Sequence, residues 1–196
     1  LEIKNGIVFN KNIVTKYGFV ENNMKYLVGV LVLLTVSMAQ ATVCFSPQQN
    51  CEQQIVKLIY SAKHFVKMQS YTFTSYKIAR ALVNMKKKGI DVEVILDKSQ
   101  FQCNYFSQRN FLLKHGVTIY EDYKPTIAHN KVIIVDGEAV ETGSYNYTVS
   151  ARKYNAENVL ILHDRDLAQK YLANWQRRKQ QSKRIHSFGC SKLSVQ

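Results

Sequence analysis

The sequence predicts an α/β fold, a single mixed β-sheet sandwiched by helices. Three observations lead there. Helical and extended patterns alternate through the middle of the chain. The extended runs are short and β-branched, as buried strands are. The helical runs end at glycines and open on polar caps, which fixes where the chain turns.

Taken in order, Ile55, Leu58, Ile59 and Ala62 recur at i, i+3, i+4 and i+7, which predicts an amphipathic helix over 52–64. Residues 65–72 read as a strand with Val66, Met68 and Ser70 on one face. Ser75 suits the cap of a second helix whose inner face is Ile78, Ala81, Leu82 and Met85. Lys86-Lys87-Lys88-Gly89 closes it, with cations at the negative end of the helix dipole. A clear strand covers 91–97, a helix is expected near 104–115, and a strand over 117–120. Lys131 to Asp136 is a buried strand, Asp136-Gly137 a turn, and Ala139 to Thr142 the returning strand. Residues 157–162 form another strand. A last helix opens at Asp164 or Asp166 and faces inward through Leu167, Tyr171 and Trp175. There is no internal repeat or linker, so one domain is expected over 46–179, followed by a polar, basic tail over 180–196.

The chemistry concentrates in one stretch. His129 and Lys131 stand two apart at a strand start, so they share a face, and Asp136 completes an H-x-K-x-x-x-x-D pattern. Gly143-Ser144-Tyr145-Asn146 follows on the return strand and brings a hydroxyl and an amide back toward His129. A neutral imidazole can attack phosphorus, and a protonated one can donate to the leaving oxygen. Lys131 supplies a positive charge and Asn146 an N–H donor for the phosphate oxygens. Ser144 can hold phosphate or imidazole. Glu157, on the next strand, is placed to orient His129. The chain carries one such histidine, so two chains must meet to supply the second.

These residues resemble the signature of the phospholipase D superfamily, and within it the small single-motif bacterial Nuc-type endonucleases, relatives of the mitochondrial cardiolipin hydrolase. The resemblance spans 46–179. It implies the phospholipase D/nuclease fold and a homodimer with one active site on its twofold axis. His129 of one subunit would form a phosphohistidine while the other acts as acid. Lys131, Ser144 and Asn146 would bind phosphate, Glu157 would support the histidine, and Asp136 and Gly143 would be structural.

Composition suggests the substrate. The 196 residues hold 27 Lys and Arg against 14 Asp and Glu, a net charge of +13. Residues 1–41 contribute little of that excess, so the domain itself attracts polyanions, nucleic acid before anionic membrane. Basic and aromatic residues interleave at Lys98, Phe101, Tyr105 and Phe106, and again at Tyr123 and Lys124 ahead of His129. Arg152 and Lys153 follow the hairpin. Such mixtures suit single-stranded nucleic acid, with bases stacked and phosphates paired, so single-stranded DNA is favoured over duplex DNA or RNA. With no C-x-x-C pair and no carboxylate cluster near the motif, neither a metal site nor a cofactor is expected.

Residues 24–41 read as a secretory signal, with Met24-Lys25, a short apolar core and Ala39-Gln40-Ala41 as cleavage site; residues 1–23 are an uncertain upstream extension. An uncleaved anchor would give membrane association instead. Cys44, Cys51, Cys103 and Cys190 all follow it, and in an exported chain they suggest disulfides, with Cys44 and Cys51 near enough for a local clip. The expected protein is thus an exported, periplasmic or secreted endonuclease. Its rivals are a phospholipase with the same residues and a DNA-binding uptake protein without turnover.

Overall fold

The computed structural model describes residues 2–4, 7–9, 40–101 and 107–186. The expected leader falls mostly outside them, as do Cys103, Tyr105, Phe106 and Cys190. The chain divides into two units, Leu1–Met38 and Ala39–Gln196. In the first, β1 (Glu2–Lys4) and β2 (Ile7–Phe9) pair antiparallel.

The second unit contains an eight-stranded sheet. Its elements are β3 (Gln40–Ser46), α1 (Cys51–Tyr60), β4 (Phe65–Ser70), α2 (Tyr76–Lys87) and β5 (Asp91–Asp97), then a 3-10 turn (Lys98–Phe101) and α3 (Arg109–Lys114). There follow β6 (Thr118–Asp122), β7 (Lys131–Val135), β8 (Ala139–Gly143), α4 (Val149–Lys153), β9 (Glu157–His163), α5 (Arg165–Gln181) and β10 (Lys183–Ile185). The strand order is β10-β6-β5-β4-β7-β8-β9-β3. β4 runs parallel to β5 and β5 to β6, while the other neighbours are antiparallel, so the sheet is mixed as the sequence predicts.

Local chemistry explains the boundaries. Ser75 caps α2 by accepting from the Ile78 N–H, and Asn50 and Asp164 cap α1 and α5 in the same way. Gly89 takes φ +87° after Lys88, a backbone conformation that costs glycine little. One sheet face, through Val66, Met68, Val94, Ile133 and Ile161, packs against α1 and α2. The other, through Ile95, Val132, Ile134 and Val140, packs against Trp175 and Ala168 of α5. Trp175 also donates its Nε1–H to the Met68 carbonyl at 3.0 Å.

Several sequence expectations need revision. The sheet reaches past both expected domain ends. Gln40 and Ala41 pair with Leu162 and His163 at the β9 edge, and the expected tail contributes β10. β10 is held to β6 by backbone pairing in register and packs only Ile185 against the core, which a polar Lys-Arg-Ile segment does not advertise. The helix expected from 104 begins at Arg109, and α4 is too short for any periodicity to reveal it. Cys44 and Cys51 do form a disulfide, tying β3 to the start of α1. α5 leaves one strip of its face uncovered. Val43 and Phe45 on β3 are 54% and 53% exposed, and Leu160 lies opposite Val43.

Candidate active site

The register of the sheet assembles the site. Ser70, the last residue of β4, pairs with Lys131, the first of β7, so β7 opens where the parallel strands β4 and β5 end. Loops outside the carboxyl ends of parallel strands form a natural crevice in such sheets. Asp97 at the end of β5 accepts the Ala128 N–H at 2.7 Å and fixes the approach to His129.

His129 is exposed, and Lys131 beneath it is only 5% exposed. The Lys131 ammonium lies 3.0 Å and 3.1 Å from the two ring nitrogens of His129, and donates to the His129 carbonyl at 2.8 Å. Burial pushes the Lys131 pKa down, and the charge of Glu157 opposes that drop. The Tyr71 ring supports both groups: it lies 4.6 Å from the imidazole, and the ammonium sits 5.4 Å from its centroid. By sequence Tyr71 is no more than the tail of a strand; only the pairing of β4 with β7 places it under His129.

Ser144 and Glu157 meet across β8 and β9. The Ser144 hydroxyl donates to Glu157 Oε2 at 2.5 Å and accepts from the Asn158 N–H at 3.1 Å. The other carboxylate oxygen accepts from Asn155 at 3.0 Å. Glu157 was expected to orient His129, but within one chain its hydrogen bonds go to Ser144 and Asn155. Both lie closer along the hairpin than His129 does. Gly143 permits this approach: a β-carbon there would lie 2.2 Å from the Asn158 carbonyl oxygen. Asn146 is half-buried with its Oδ1 lacking a donor.

Asp136 lies at the opposite end of β7 from His129. Its carboxylate accepts the backbone N–H groups of Lys63, His64 and Phe65 at 2.7–2.8 Å, clamping the loop from α1 to β4. Burial raises its pKa, but those three donors outweigh it and the net shift is downward. Asp136 also holds φ 55°, uncommon for a non-glycine residue. Asp136→Ala leaves three N–H groups without their acceptor and is expected to cost about 3 kcal/mol of stability, read by urea denaturation.

The expected groove residues divide. Tyr123 is 45% exposed with the Lys124 ammonium 5.2 Å from its ring, and Lys153 is exposed. Lys98 donates to the Pro125 carbonyl at 3.1 Å and holds that loop. Phe101 is not a groove residue. It is 3% exposed in the core, with the Arg109 guanidinium 5.1 Å from its ring, because the 3-10 turn folds the segment inward. Arg152 is directed to α1 instead, its Nε 3.5 Å from the buried carboxylate of Glu52. Among the described residues no three His, Cys, Asp or Glu side chains cluster so as to hold a metal ion.

The family model described as cardiolipin synthase, PLD-like domain, matches residues 55–179, a span that includes the whole motif. The chain belongs to the phospholipase D superfamily. Among curated relatives of this phospholipase D-like chain is a protein of Rickettsia prowazekii named phospholipase D. It is 41% identical over 151 residues, covering 77% of this chain and 73% of that one. Among solved structures, the phospholipase D family member Nuc of Salmonella typhimurium superimposes with a TM-score of 0.73 at 34% identity, covering 76% of this chain and 99% of Nuc. NucT of Helicobacter pylori gives a TM-score of 0.70 at 25% identity, over 75% and 99% of the two chains. The phospholipase D-like fold is therefore that of single-domain members of the superfamily.

Proposed function

We propose that this phospholipase D-like chain is an exported, metal-independent endonuclease. It acts as a homodimer in which two copies of His129 share one site. The observation that carries the reading is the pair His129 and Lys131: an exposed imidazole held against a buried cation at the mouth of the sheet. A fixed positive charge neutralises the phosphodiester while leaving the imidazole free to attack.

In the first step a neutral His129 nitrogen forms a bond to phosphorus. The bond from phosphorus to the leaving oxygen breaks, and that oxygen takes a proton from the second His129. In the second step water attacks phosphorus, gives its proton to that same imidazole, and the phosphorus–nitrogen bond breaks. Lys131 and Asn146 bind the non-bridging oxygens. Ser144 sits beside them, and Glu157 holds Ser144 in place.

The uncovered strip of Val43, Phe45 and Leu160 supports a second copy, since each exposed apolar side chain forgoes roughly 1–2 kcal/mol of burial. Its strands carry Asn158 and Glu157 at their active-site end, so a partner seated there approaches the motif. The net charge of +13 and the likeness to Nuc and NucT support nucleic acid as substrate, single-stranded DNA first. The disulfide supports export. A phospholipid substrate is the second reading, favoured by the name of the Rickettsia relative.

The test offers single-stranded DNA, duplex DNA, RNA and cardiolipin in parallel, in excess chelator. Cleavage of nucleic acid that persists in chelator is the expected result. Cleavage of lipid alone would transfer the proposal to the second reading, and loss of turnover with chelator would refute the metal-independent mechanism.

A further inference from the structure

Helices α1 and α2 lie side by side and run in the same sense. Glu52 of α1 accepts from Ser75 at the start of α2 at 2.6 Å, and Asn84 near the end of α2 donates to Tyr60 at the end of α1 at 3.0 Å. Between them is a groove of about 420 Å³, lined by Glu52, Gln53, Tyr60, Lys77, Arg80 and Asn84 among others. α2 starts just beyond Ser70, the residue paired with Lys131, so the groove opens at the same end of the sheet as His129. It is nevertheless built from other elements, and none of its lining belongs to the motif.

The lining is a recognition set. Arg80 is exposed, and among the described residues its guanidinium has no ion pair or hydrogen bond. Lys77 is 65% exposed on its side chain and rests 3.6 Å from Glu52, a loose pair from which a flexible ammonium can swing to a phosphate. Lys88 continues the cationic edge, its ammonium 6.0 Å from the Tyr60 ring. The ring and the amides of Gln53 and Asn84 offer a base a stacking edge and polar partners. Glu52 is 3% exposed, and its Oε2 has ion pairs with Lys77 and Arg152 but no hydrogen bond. Buried carboxylate oxygens are rarely left without a donor, and the exocyclic amino group of a base supplies one.

We infer that the α1–α2 groove is an accessory site for a short stretch of a single strand whose scissile phosphodiester lies at His129. Lys77 and Arg80 take the phosphate, and Glu52 accepts from an amino-bearing base. α2 is 12 residues long, about 18 Å at the helical rise, so a groove along it spans roughly three phosphates of an extended strand. This rests on the nucleic-acid reading, and its test reads binding separately from cleavage.

The test measures fluorescence anisotropy of labelled ten-nucleotide strands with full-length protein carrying His129→Ala. The groove variant adds Lys77→Glu and Arg80→Glu, both on the outer face of α2, and circular dichroism checks that its fold is kept. About a tenfold or greater loss of affinity, with slower salt dependence, is the expected result. In an otherwise native chain the same pair should raise KM for oligonucleotides and leave hydrolysis of bis(p-nitrophenyl) phosphate unchanged. Unchanged oligonucleotide affinity would overturn the site, as would binding of cardiolipin vesicles but of no oligonucleotide. Deoxycytidine strands should outbind deoxythymidine strands, and equal affinities would overturn the base contact to Glu52. Groove-dependent binding in a protein that cleaves no nucleic acid would keep the site and refute the nuclease reading.

Discussion

His129→Ala is expected to lower turnover of any phosphodiester by about ten-thousand-fold or more, with melting temperature held within a few degrees. Two arguments set the size. In the proposed site the same position supplies nucleophile and acid, so one substitution removes both. The fold should not suffer, because the imidazole is exposed and its contacts are to Tyr71 and Lys131. Initial rates on the preferred substrate, with thermal denaturation alongside, make the check. Residual activity within tenfold of native would mean that attack comes from elsewhere.

The second large effect concerns stability and lies under the site. Glu141 on β8 is wholly buried, facing the α1–α2 side, with Tyr147 donating to one oxygen at 2.7 Å and the other oxygen unpaired. Burial pushes its carboxyl up to about 8 from 4.5, against the lowering effect of the Tyr147 hydrogen bond. The folded state therefore binds this proton more tightly than the unfolded one. Stability from it is complete below 4.5 and is lost as pH rises toward 8. A shift of that size corresponds to roughly 5 kcal/mol by the alkaline end. Glu141→Gln keeps an acceptor for Tyr147 and removes the titration, so it should flatten the decline and melt higher than native near about pH 8.5. Parallel melting curves for the two proteins across that range would contradict the account.

Glu93 works in the opposite sense. Burial alone would raise its carboxyl, but hydrogen bonds from Lys179, Lys67 and Tyr120 hold it down at about 2. Its contribution is present above 4.5 and is lost as pH falls toward 2. Stability should thus fall on both sides of a mildly acidic optimum, for two separate reasons.

Much of this protein was legible where one residue's neighbours are its own sequence neighbours. The strand over 91–97, the Ser75 cap and the turn at Asp136-Gly137 follow from local pattern, and the structure contains all three. The motif was legible too, because His129 and Lys131 stand two apart on one strand. What escaped depends on pairing between distant segments. Tyr71 comes under His129 only through β4 and β7. Arg152 is drawn to Glu52, a hundred residues earlier, and Phe101 enters the core because Arg109 returns over it. β10 escaped because edge strands gain their register from backbone hydrogen bonds rather than from apolar alternation. Within one chain Glu157 hydrogen-bonds Ser144 and Asn155, a pairing across β8 and β9 that no local pattern reveals.

Everything mechanistic depends on two subunits contributing one histidine each. Native protein mixed and refolded with increasing proportions of the inactive alanine variant at position 129 tests this directly. With both imidazoles required, an equal mixture retains about a quarter of the native activity per total protein, the fraction of dimers with two native chains. Retention of about half, with activity falling in proportion to the native share, would mean that each chain works alone.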